Sequence, residues 1–419
     1  MKAAEILRMA QAAMQAWATG DAARAEAIAR EIFLAAPNEP NARQVLGLAS
    51  LRAGRAAEAV GHLCAADAAA PNQAPILNSL GVALRQTGDL AGARQAYARA
   101  GALGLADAWR NLGSLERGEN RIDAALAAFE KALALLPSAS AHANLAQLHE
   151  VRHQLDRARE HADAALRLDP KNEIARLALG QVLLREGDWT GAEALLAPLG
   201  REASATPVNR AIALGLAGEA LDRAGRASDA FEMFRASNAI LRQLYAPPLD
   251  ATQSPFHPVT VQRLTRFMEC EDVGAWTHPQ TSEQPAPVFL VGFPRSGTTL
   301  LDQILSSHTR IVCLEEKEIL APVVADLLSE EALSGWRTLP DALIHQRRTL
   351  YGERAAAALQ TPRDERRLVD KLPLNLVLLP AIARLFPEAR IIVALRDPRD
   401  AVLSAYQQRF GMNPAMAQL

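Results

Sequence analysis

VFLVGFPRSGTT, residues 288–299, decides the fold of the second half of the chain. Its first four residues, 288–291, are apolar and typical of a strand buried in a parallel sheet. Gly292 and Gly297 then bound a short loop, and residues 300–305 have helical periodicity. In a strand, glycine-bounded loop and helix, backbone N–H groups and the helix N-terminus converge on an anion. The sequence therefore predicts a phosphate-binding loop in an α/β domain.

This loop differs from that of nucleoside triphosphatases. Gly292 and Gly297 keep the spacing of G-x-x-x-x-G-K-[ST], but Thr298 stands where the lysine reaches β- and γ-phosphates. The change indicates a donor with a shorter phosphate chain and a cation, Arg295, supplied from within the loop. It also argues against a P-loop kinase, which would consume ATP with magnesium. An ordinary strand-turn-helix corner is the alternative without a ligand.

The string P-R-S-G-T-T is similar to the 5′-phosphosulfate loop of sulfotransferases, which use 3′-phosphoadenosine 5′-phosphosulfate (PAPS). Through that resemblance, the residues expected to bind the donor are Arg295, Ser296, Gly297, Thr298 and Thr299. Residues 390–395 predict another buried strand, with Arg396 at its end and Ser404 eight residues further on. This pair resembles the family's 3′-phosphate motif, which implies that Arg396 and Ser404 hold the ribose phosphate.

Sulfuryl transfer to a hydroxyl requires a base for the acceptor proton and positive charge near the bridging oxygen. Residues 313–318, CLEEKE, follow a β-like stretch, and their acids suit the first turn of a helix. Protein-tyrosine sulfotransferases carry a similar E-E segment, so the resemblance implies Glu316 as the base, with Glu315 as the second choice. A solvated acidic helix start is the alternative.

Lys371 follows the apolar residues 368 and 369 at an edge where sheets of this class present ligands. The family has a lysine at this spacing, which implies that Lys371 and Arg295 support the leaving group as the two catalytic cations. His308 ends the first helix and is an alternative base, although its family counterpart looks structural. No metal is expected, because sulfate carries little charge to neutralise and no carboxylate stands at the loop to hold a cation.

The first half of the chain repeats with a period near 34 residues. The columns of the repeat are alanines, small residues twelve positions earlier and mostly larger residues four positions later. The alanines are Ala25, Ala59, Ala93, Ala125, Ala158, Ala192 and Ala230; the small residues are Gly47, Gly81, Gly113, Ala146, Gly180 and Gly218; the later ones are Leu63, Tyr97, Phe129, Ala162, Leu196 and Phe234. Such columns are typical of two closely packed antiparallel helices. Residues 1–240 thus resemble a tetratricopeptide-repeat (TPR) solenoid of about seven helical hairpins.

Such a solenoid is either a spacer or dimerisation module, or a groove that captures a protein or peptide partner. Within it, residues 149–153 match H-E-x-x-H, which on a continuous helix places two histidines on one face for zinc. The repeat register opposes that reading. His153 falls in the slot where Gly20, Gly54 and Gly88 make the turn between helices, so a zinc site is not expected.

Composition narrows the function classes further. The chain has 419 residues and a formal net charge of −2, so no long-range field attracts nucleic acid or an anionic membrane. Its three cysteines, Cys64, Cys270 and Cys313, fit neither a disulfide framework nor a zinc knuckle. No stretch approaches the ~18 apolar residues of a membrane span. We expect a cytoplasmic protein with no membrane span and no nucleic-acid partner.

The expected architecture is α plus α/β. An all-α TPR solenoid over 1–240 is followed by a proline-containing linker with a short helix over 241–285. A P-loop-type three-layer α/β sulfotransferase domain occupies 286–419. Family members usually continue beyond the position of Leu419, so the domain is expected to be C-terminally incomplete.

The expected activity is sulfuryl transfer from PAPS to an acceptor hydroxyl. The Glu315-Glu316 similarity favours a tyrosine of a protein or peptide, and carbohydrate and lipid hydroxyls stay open. The alternative is a non-catalytic TPR scaffold that carries a truncated sulfotransferase domain.

Overall fold

The computed structural model describes most of the chain. The described residues are 2–245, 255–276, 286–359 and 365–408. The chain divides into two compact units, Met1–Ala205 and Thr206–Leu419. Part of the expected linker, residues 246–254 and 277–285, lies outside the described residues.

The first unit is built from α-helices that pack as consecutive antiparallel pairs, α1 with α2 through to α11 with α12. The helices are α1 (Ala3–Ala18), α2 (Ala22–Ala35), α3 (Pro40–Arg52), α4 (Ala56–Ala69), α5 (Ala74–Gln86), α6 (Leu90–Ala102), α7 (Ala106–Gly118), α8 (Ile122–Leu135), α9 (Ala139–Val151), α10 (Leu155–Leu168), α11 (Glu173–Glu186) and α12 (Trp189–Arg201). Each pair is one predicted hairpin, and the column alanines of this unit are fully buried.

Close approach of paired helices explains the columns of small and large residues. A Cβ atom at Gly81 would lie 2.6 Å from the ring of Tyr97, sixteen residues later on the partner helix. The same relation recurs along the chain. The other pairs are Gly47 with Leu63, Gly113 with Phe129, Gly180 with Leu196 and Gly218 with Phe234. The predicted packing rule of the repeat is therefore confirmed residue by residue.

Left-handed backbone closes the turns inside the hairpins. Gly20, Gly54, Gly88, Gly187 and Gly225 all have φ between 74° and 88°. In the fourth and fifth hairpins the same slot holds Asn120 (φ 56°) and His153 (φ 57°). His153 is thus outside helix α9 while His149 is inside it, so the two histidines of the H-E-x-x-H match do not share a helix face.

The second unit begins with one more helical hairpin and continues into an α/β region. Its helices are α13 (Pro207–Arg223), α14 (Ala227–Tyr245), α15 (Pro258–Cys270), α16 (Thr298–Ser306), α17 (Leu320–Val324), α18 (Glu330–Ser334), α19 (Asp341–Ala358), α20 (Leu379–Leu385) and α21 (Pro398–Tyr406). Short 3-10 helices occupy Val273–Ala275, Ala325–Leu328, Trp336–Thr338 and Pro373–Leu378. Four strands form one sheet: β1 (Val288–Gly292), β2 (Ile311–Glu315), β3 (Arg367–Lys371) and β4 (Arg390–Ala394).

The strands are all parallel, in the order β2-β3-β1-β4. Side chains alternate between the two faces. On one face Phe289 packs against Tyr351 of α19, with ring centroids 6.0 Å apart. On the other face Cys313 contacts α16, since its Sγ lies 3.9 Å from the backbone oxygen of Asp302. Helices therefore cover both faces, and the predicted three-layer arrangement is present.

Strand β4 corrects one expectation, because it was predicted to be buried. Ile391, Ile392 and Val393 are 41%, 36% and 44% exposed, whereas Phe289 and Val291 of β1 are fully buried. The reason is position: β4 is the last strand in the sheet order and pairs only with β1 among the described residues. An apolar sequence run does not distinguish a central strand from an edge strand.

Within the described ranges, none of the helices combines the length and apolar content needed to cross a membrane.

Candidate functional site

The candidate site lies where the four parallel strands end. Glu315 at the end of β2 pairs in register with Lys371 at the end of β3, and Gly292 of β1 pairs with Ala394 of β4. Because the carboxyl ends of parallel strands meet at one edge, the loops that follow them are brought together. The polar residues predicted from sequence lie at these four strand ends or in the segments that follow them.

The phosphate loop after β1 has the backbone that anion binding requires. Gly297 has φ of 90° and is the N-cap of α16, and the first N–H groups of a helix have no acceptor within it. Gly292 permits close contact with β4, since a Cβ there would lie 2.7 Å from the backbone oxygen of Ala394. Arg295 also has positive φ, 70°, which is costly for a residue other than glycine. The loop thus holds an arginine in a strained conformation beside a helix N-terminus.

The other predicted loop residues have different surroundings. Ser296 N–H donates to the backbone oxygen of Phe293 at 3.2 Å and closes the turn. Thr298 is buried, while Thr299 is exposed at the start of α16. Gly297 and Thr299 are therefore exposed beside Arg295, Ser296 is half-buried, and Thr298 is covered.

The residues predicted to bind a 3′-phosphate meet the phosphate loop directly. Arg295 Nε donates to Ser404 Oγ at 3.1 Å. Arg396 Nη1 donates to the backbone oxygen of Arg295 at 3.1 Å. The motif after β1 and the motif after β4 are therefore in direct contact, and Arg396 Nε also lies 3.9 Å from Asp400 Oδ2.

Lys371 is fully buried, and its ammonium group is held by two exposed carboxylates. Nζ lies 2.9 Å from Glu316 Oε1 and 3.3 Å from Glu315 Oε1. The backbone is tied as well, since Glu316 N–H donates to the oxygen of Lys371 at 2.7 Å. The structure thus brings both candidate bases onto the lysine predicted to act with them.

The position of these acids corrects the predicted helix start. Glu315 is the last residue of β2, Glu316 follows with φ of 49°, and the next helix begins only at Leu320. The pairing of β2 with β3 extends the strand through Glu315. The two acids therefore lie at the end of the strand and contact Lys371, and they are not in the first turn of a helix.

Two buried carboxyl groups were not predicted. Burial raises the pKa of Asp302, one turn into α16, and the charge of Lys371 opposes that shift. Burial raises the pKa of Asp370 to about 7, although the Tyr351 hydroxyl donates to its Oδ2 at 2.8 Å. In the sequence, each of these residues is a single acid within an otherwise apolar strand or helix. The sequence alone does not distinguish such a buried acid from an exposed one.

His308 and Cys313 both make contacts that support the fold. His308 Nδ1 accepts the backbone N–H of Arg310 at 3.1 Å, so this ring supports the turn after α16. Burial, together with the neighbouring Asp302 carboxyl, raises the pKa of the Cys313 thiol to about 12. Within the described part of the chain, no group of three or more histidine, cysteine, aspartate or glutamate side chains is arranged to hold a metal ion.

Family models match both halves of this architecture. Residues 287–418 match the model of the sulfotransferase family. Tetratricopeptide-repeat models match residues 80–140 and 110–173, and residues 152–214. The chain therefore carries tetratricopeptide repeats followed by a sulfotransferase-family domain, which confirms both resemblances.

Individual relatives cover smaller parts. An Aquifex aeolicus (strain VF5) protein named "Uncharacterized protein" is 32% identical over 130 residues, 30% of this chain and 17% of the relative. A Caenorhabditis briggsae "Putative protein-tyrosine sulfotransferase" is 30% identical over 137 residues, 29% of this chain and 43% of the relative. The chain thus spans less than half the length of either relative. A tetratricopeptide repeat protein from Parabacteroides merdae ATCC 43184 is similar in structure, with a TM-score of 0.42 and 18% identity over 56% of this chain and 93% of that one.

Proposed function

We propose that the sulfotransferase-family domain transfers a sulfuryl group from PAPS to an acceptor hydroxyl. The observation that carries this proposal is the contact between the two anion-binding motifs, with Arg295 Nε 3.1 Å from Ser404 Oγ. A donor with charged groups at its 5′ and 3′ positions requires two anion sites within reach of one molecule. Arg396 Nη1 lies 3.1 Å from the backbone oxygen of Arg295, so the candidate 3′ and 5′ sites are close enough for one molecule to reach both.

The residues present fit the two ends of this donor. At the 5′ end, the N-terminus of α16 and Arg295 offer N–H donors and a cation. A Cβ at Gly297 would meet no atom within 4 Å, so space is open beside the loop. At the 3′ end, Arg396 offers a planar guanidinium and Ser404 a hydroxyl that can donate to phosphate.

The bound donor supplies the sulfuryl group: the acceptor oxygen bonds to sulfur as the bridging sulfur–oxygen bond breaks, and 3′-phosphoadenosine 5′-phosphate leaves. Glu316 accepts the acceptor's proton at its carboxylate, and Glu315 is the second choice for this step. Lys371 and Arg295 stabilise the negative charge on the departing oxygen. Among the described residues, Lys371 Nζ contacts Glu315 and Glu316 and is otherwise fully buried. Its contact with the departing oxygen therefore requires one of these exposed carboxylates to move aside.

For the acceptor we propose a tyrosine of a protein or peptide. The Glu315-Glu316 segment and the name of the Caenorhabditis briggsae relative support this choice. Repeats of the kind found in residues 80–214 present extended surfaces that bind other chains. We therefore propose a solenoid over 1–240 that recruits the acceptor, a linker over 241–285 and a catalytic domain from residue 286.

Donor binding is the first test, by isothermal titration calorimetry with 3′-phosphoadenosine 5′-phosphate and with ATP. We expect the wild type to prefer the former. Arg396→Ala should weaken its binding about 10- to 100-fold, because a charge-assisted hydrogen bond to phosphate is lost. Arg399→Ala is the matched control, since Arg399 is exposed and pairs with Asp397. A preference for ATP with magnesium would favour a kinase instead.

Transfer is the second test, with labelled PAPS and peptides that contain tyrosine or phenylalanine at one position. Label on the tyrosine peptide alone supports the proposed acceptor. Carbohydrates and lipids with free hydroxyls are assayed in the same way. Label on one of them instead would support sulfotransferase activity and contradict tyrosine as the acceptor. Normal donor binding with no transfer to any hydroxyl would favour a non-catalytic scaffold.

A further inference from the structure

We infer that the helical hairpin of α13 and α14 is part of the framework of the donor site. In this inference Phe231 and Asn238 are positioning residues that hold α21 so that Ser404 faces the 3′-phosphate. The inference rests on the proposed function and adds to it a role for a repeat-like hairpin. By sequence this hairpin continues the repeat, since Gly218 packs against Phe234 as in the preceding hairpins. In the structure it belongs to the same compact unit as the sheet.

An aromatic contact joins the hairpin to α21. The ring of Phe231 on α14 stacks on that of Tyr406 at the end of α21, with centroids 5.3 Å apart and planes 20° apart. Tyr406 also packs against a small apolar cluster on the hairpin. The cluster comprises Leu221, Ala230, Met233 and Phe234. The end of α21 is therefore anchored by side-chain packing.

Hydrogen bonds anchor the same end. Asn238 Nδ2 donates to the backbone oxygen of Tyr406 at 2.9 Å. The last carbonyl groups of a helix have no N–H partner within that helix, so Asn238 fills a position that would otherwise need water. Gln407 Nε2, just past the helix, donates to Asp222 Oδ2 of α13 at 3.4 Å.

Helix geometry carries this anchoring to the donor site. Tyr406 and Ser404 are two residues apart, so their side chains point about 200° apart around the helix axis. One face of α21 therefore meets the hairpin while the opposite face presents Ser404 to Arg295 at 3.1 Å. Holding α21 in this orientation removes an ordering cost that phosphate binding would otherwise carry.

The test compares two probes, 3′-phosphoadenosine 5′-phosphate and adenosine 5′-phosphate, by isothermal titration calorimetry. Phe231→Ala should weaken binding of the first about 5- to 10-fold and leave the second unchanged, because only the first has a 3′-phosphate. Phe231→Tyr, which keeps an aromatic ring stacked on Tyr406, should retain the wild-type ratio of the two affinities. Leu244→Ala, an exposed residue on the same helix, is the matched control.

A double-mutant cycle separates positioning from a general loss of stability. In a Ser404→Ala background, Phe231→Ala should cause no further loss of 3′-phosphate binding. Independent, additive losses would overturn the inference. If Phe231→Ala does not fold, Asn238→Ala replaces it, with an expected loss of about threefold.

The outcomes also distinguish the inference from the proposed function. A wild type that binds the two probes equally contradicts the proposed donor site, and the inference falls with it. A wild type that prefers the 3′-phosphate, with a preference unchanged in Phe231→Ala and Asn238→Ala, overturns the inference alone.

Discussion

Both compact units place glycines in the left-handed region, but the other residues found there differ between the units. The repeats use glycine, asparagine or histidine at such positions, for example Gly88, Asn120 and His153. Besides Gly297, the sheet domain uses Arg295 and Glu316. Glycine and asparagine adopt this backbone at low cost, whereas arginine and glutamate do so at about 1–2 kcal/mol.

The difference separates a structural requirement from a chemical one. In the repeats a residue in this slot has only to close a turn, so the residue with the lowest backbone cost suffices. At the sheet edge the side chain itself contacts the opposite motif, as Arg295 does with Ser404 and Glu316 with Lys371. Arg295 and Glu316 therefore have a costly backbone conformation at positions where their charged side chains are held against Ser404 and Lys371.

Buried acids differ between the units in the same way. Glu116 in the repeats is almost fully buried and pairs with two arginines, Arg94 and Arg121. Asp370 in the sheet is fully buried, and the partner of its carboxylate is the neutral hydroxyl of Tyr351. Two arginines compensate the charge of Glu116, whereas burial disfavours the charge of Asp370 and the hydrogen bond from Tyr351 offsets this only in part.

The largest effect is expected at Glu316, whose costly backbone conformation we attribute to its proposed role as the base. Glu316→Gln should lower the single-turnover transfer rate about 10²- to 10⁴-fold at saturating PAPS, because the proton acceptor is removed. Glu318→Gln, an exposed acid two residues further on, is the control and should leave the rate unchanged. Glu315→Gln should have the smaller effect of the two paired acids. A larger loss in Glu315→Gln would move the base to Glu315.

The sequence predicted the repeats in far more detail than the site. Each column of the solenoid is constrained by contacts within one hairpin, as with Gly81 and Tyr97, so one rule recurs along the chain. The site depends on strand register and on contacts such as Arg295 with Ser404, 109 residues apart. Motif resemblance named those residues, but no local pattern indicated that Arg295 would contact Ser404 or that Lys371 would be buried between two acids.

We expect an effect of intermediate size on folding stability from the titration of Asp370. Its pKa is raised to about 7 in the fold, so the folded state binds more protons than the unfolded state between about pH 4 and pH 7. Stability therefore falls as pH rises through that window. Asp370→Asn should remove this slope and stabilise strand β3 by up to about 4 kcal/mol at pH 7.5. Hydrogen exchange of the β3 amides, corrected for intrinsic rates, measures the change.

Glu116→Gln is the matched variant in the repeats and should act in the opposite direction. Removing its charge leaves Arg94 and Arg121 without their buried partner, so the free energy of unfolding should fall by about 1–2 kcal/mol. Stabilisation by both variants at pH 7.5 would contradict the contrast drawn between the two buried acids.

The smallest effect is expected at Asn120, which tests whether backbone cost alone selects residues in the repeat turns. Asn120→Gly should change the free energy of unfolding by less than about 0.5 kcal/mol, because relief at φ 56° is offset by the greater freedom of glycine in the unfolded chain. Asn120→Ala should cost about 1 kcal/mol, since alanine has neither freedom nor a polar side chain to support this backbone. Urea denaturation measures both. Equal values for the two variants would mean that the turn does not impose its backbone on the residue, and Arg295 and Glu316 would then need no chemical reason for theirs.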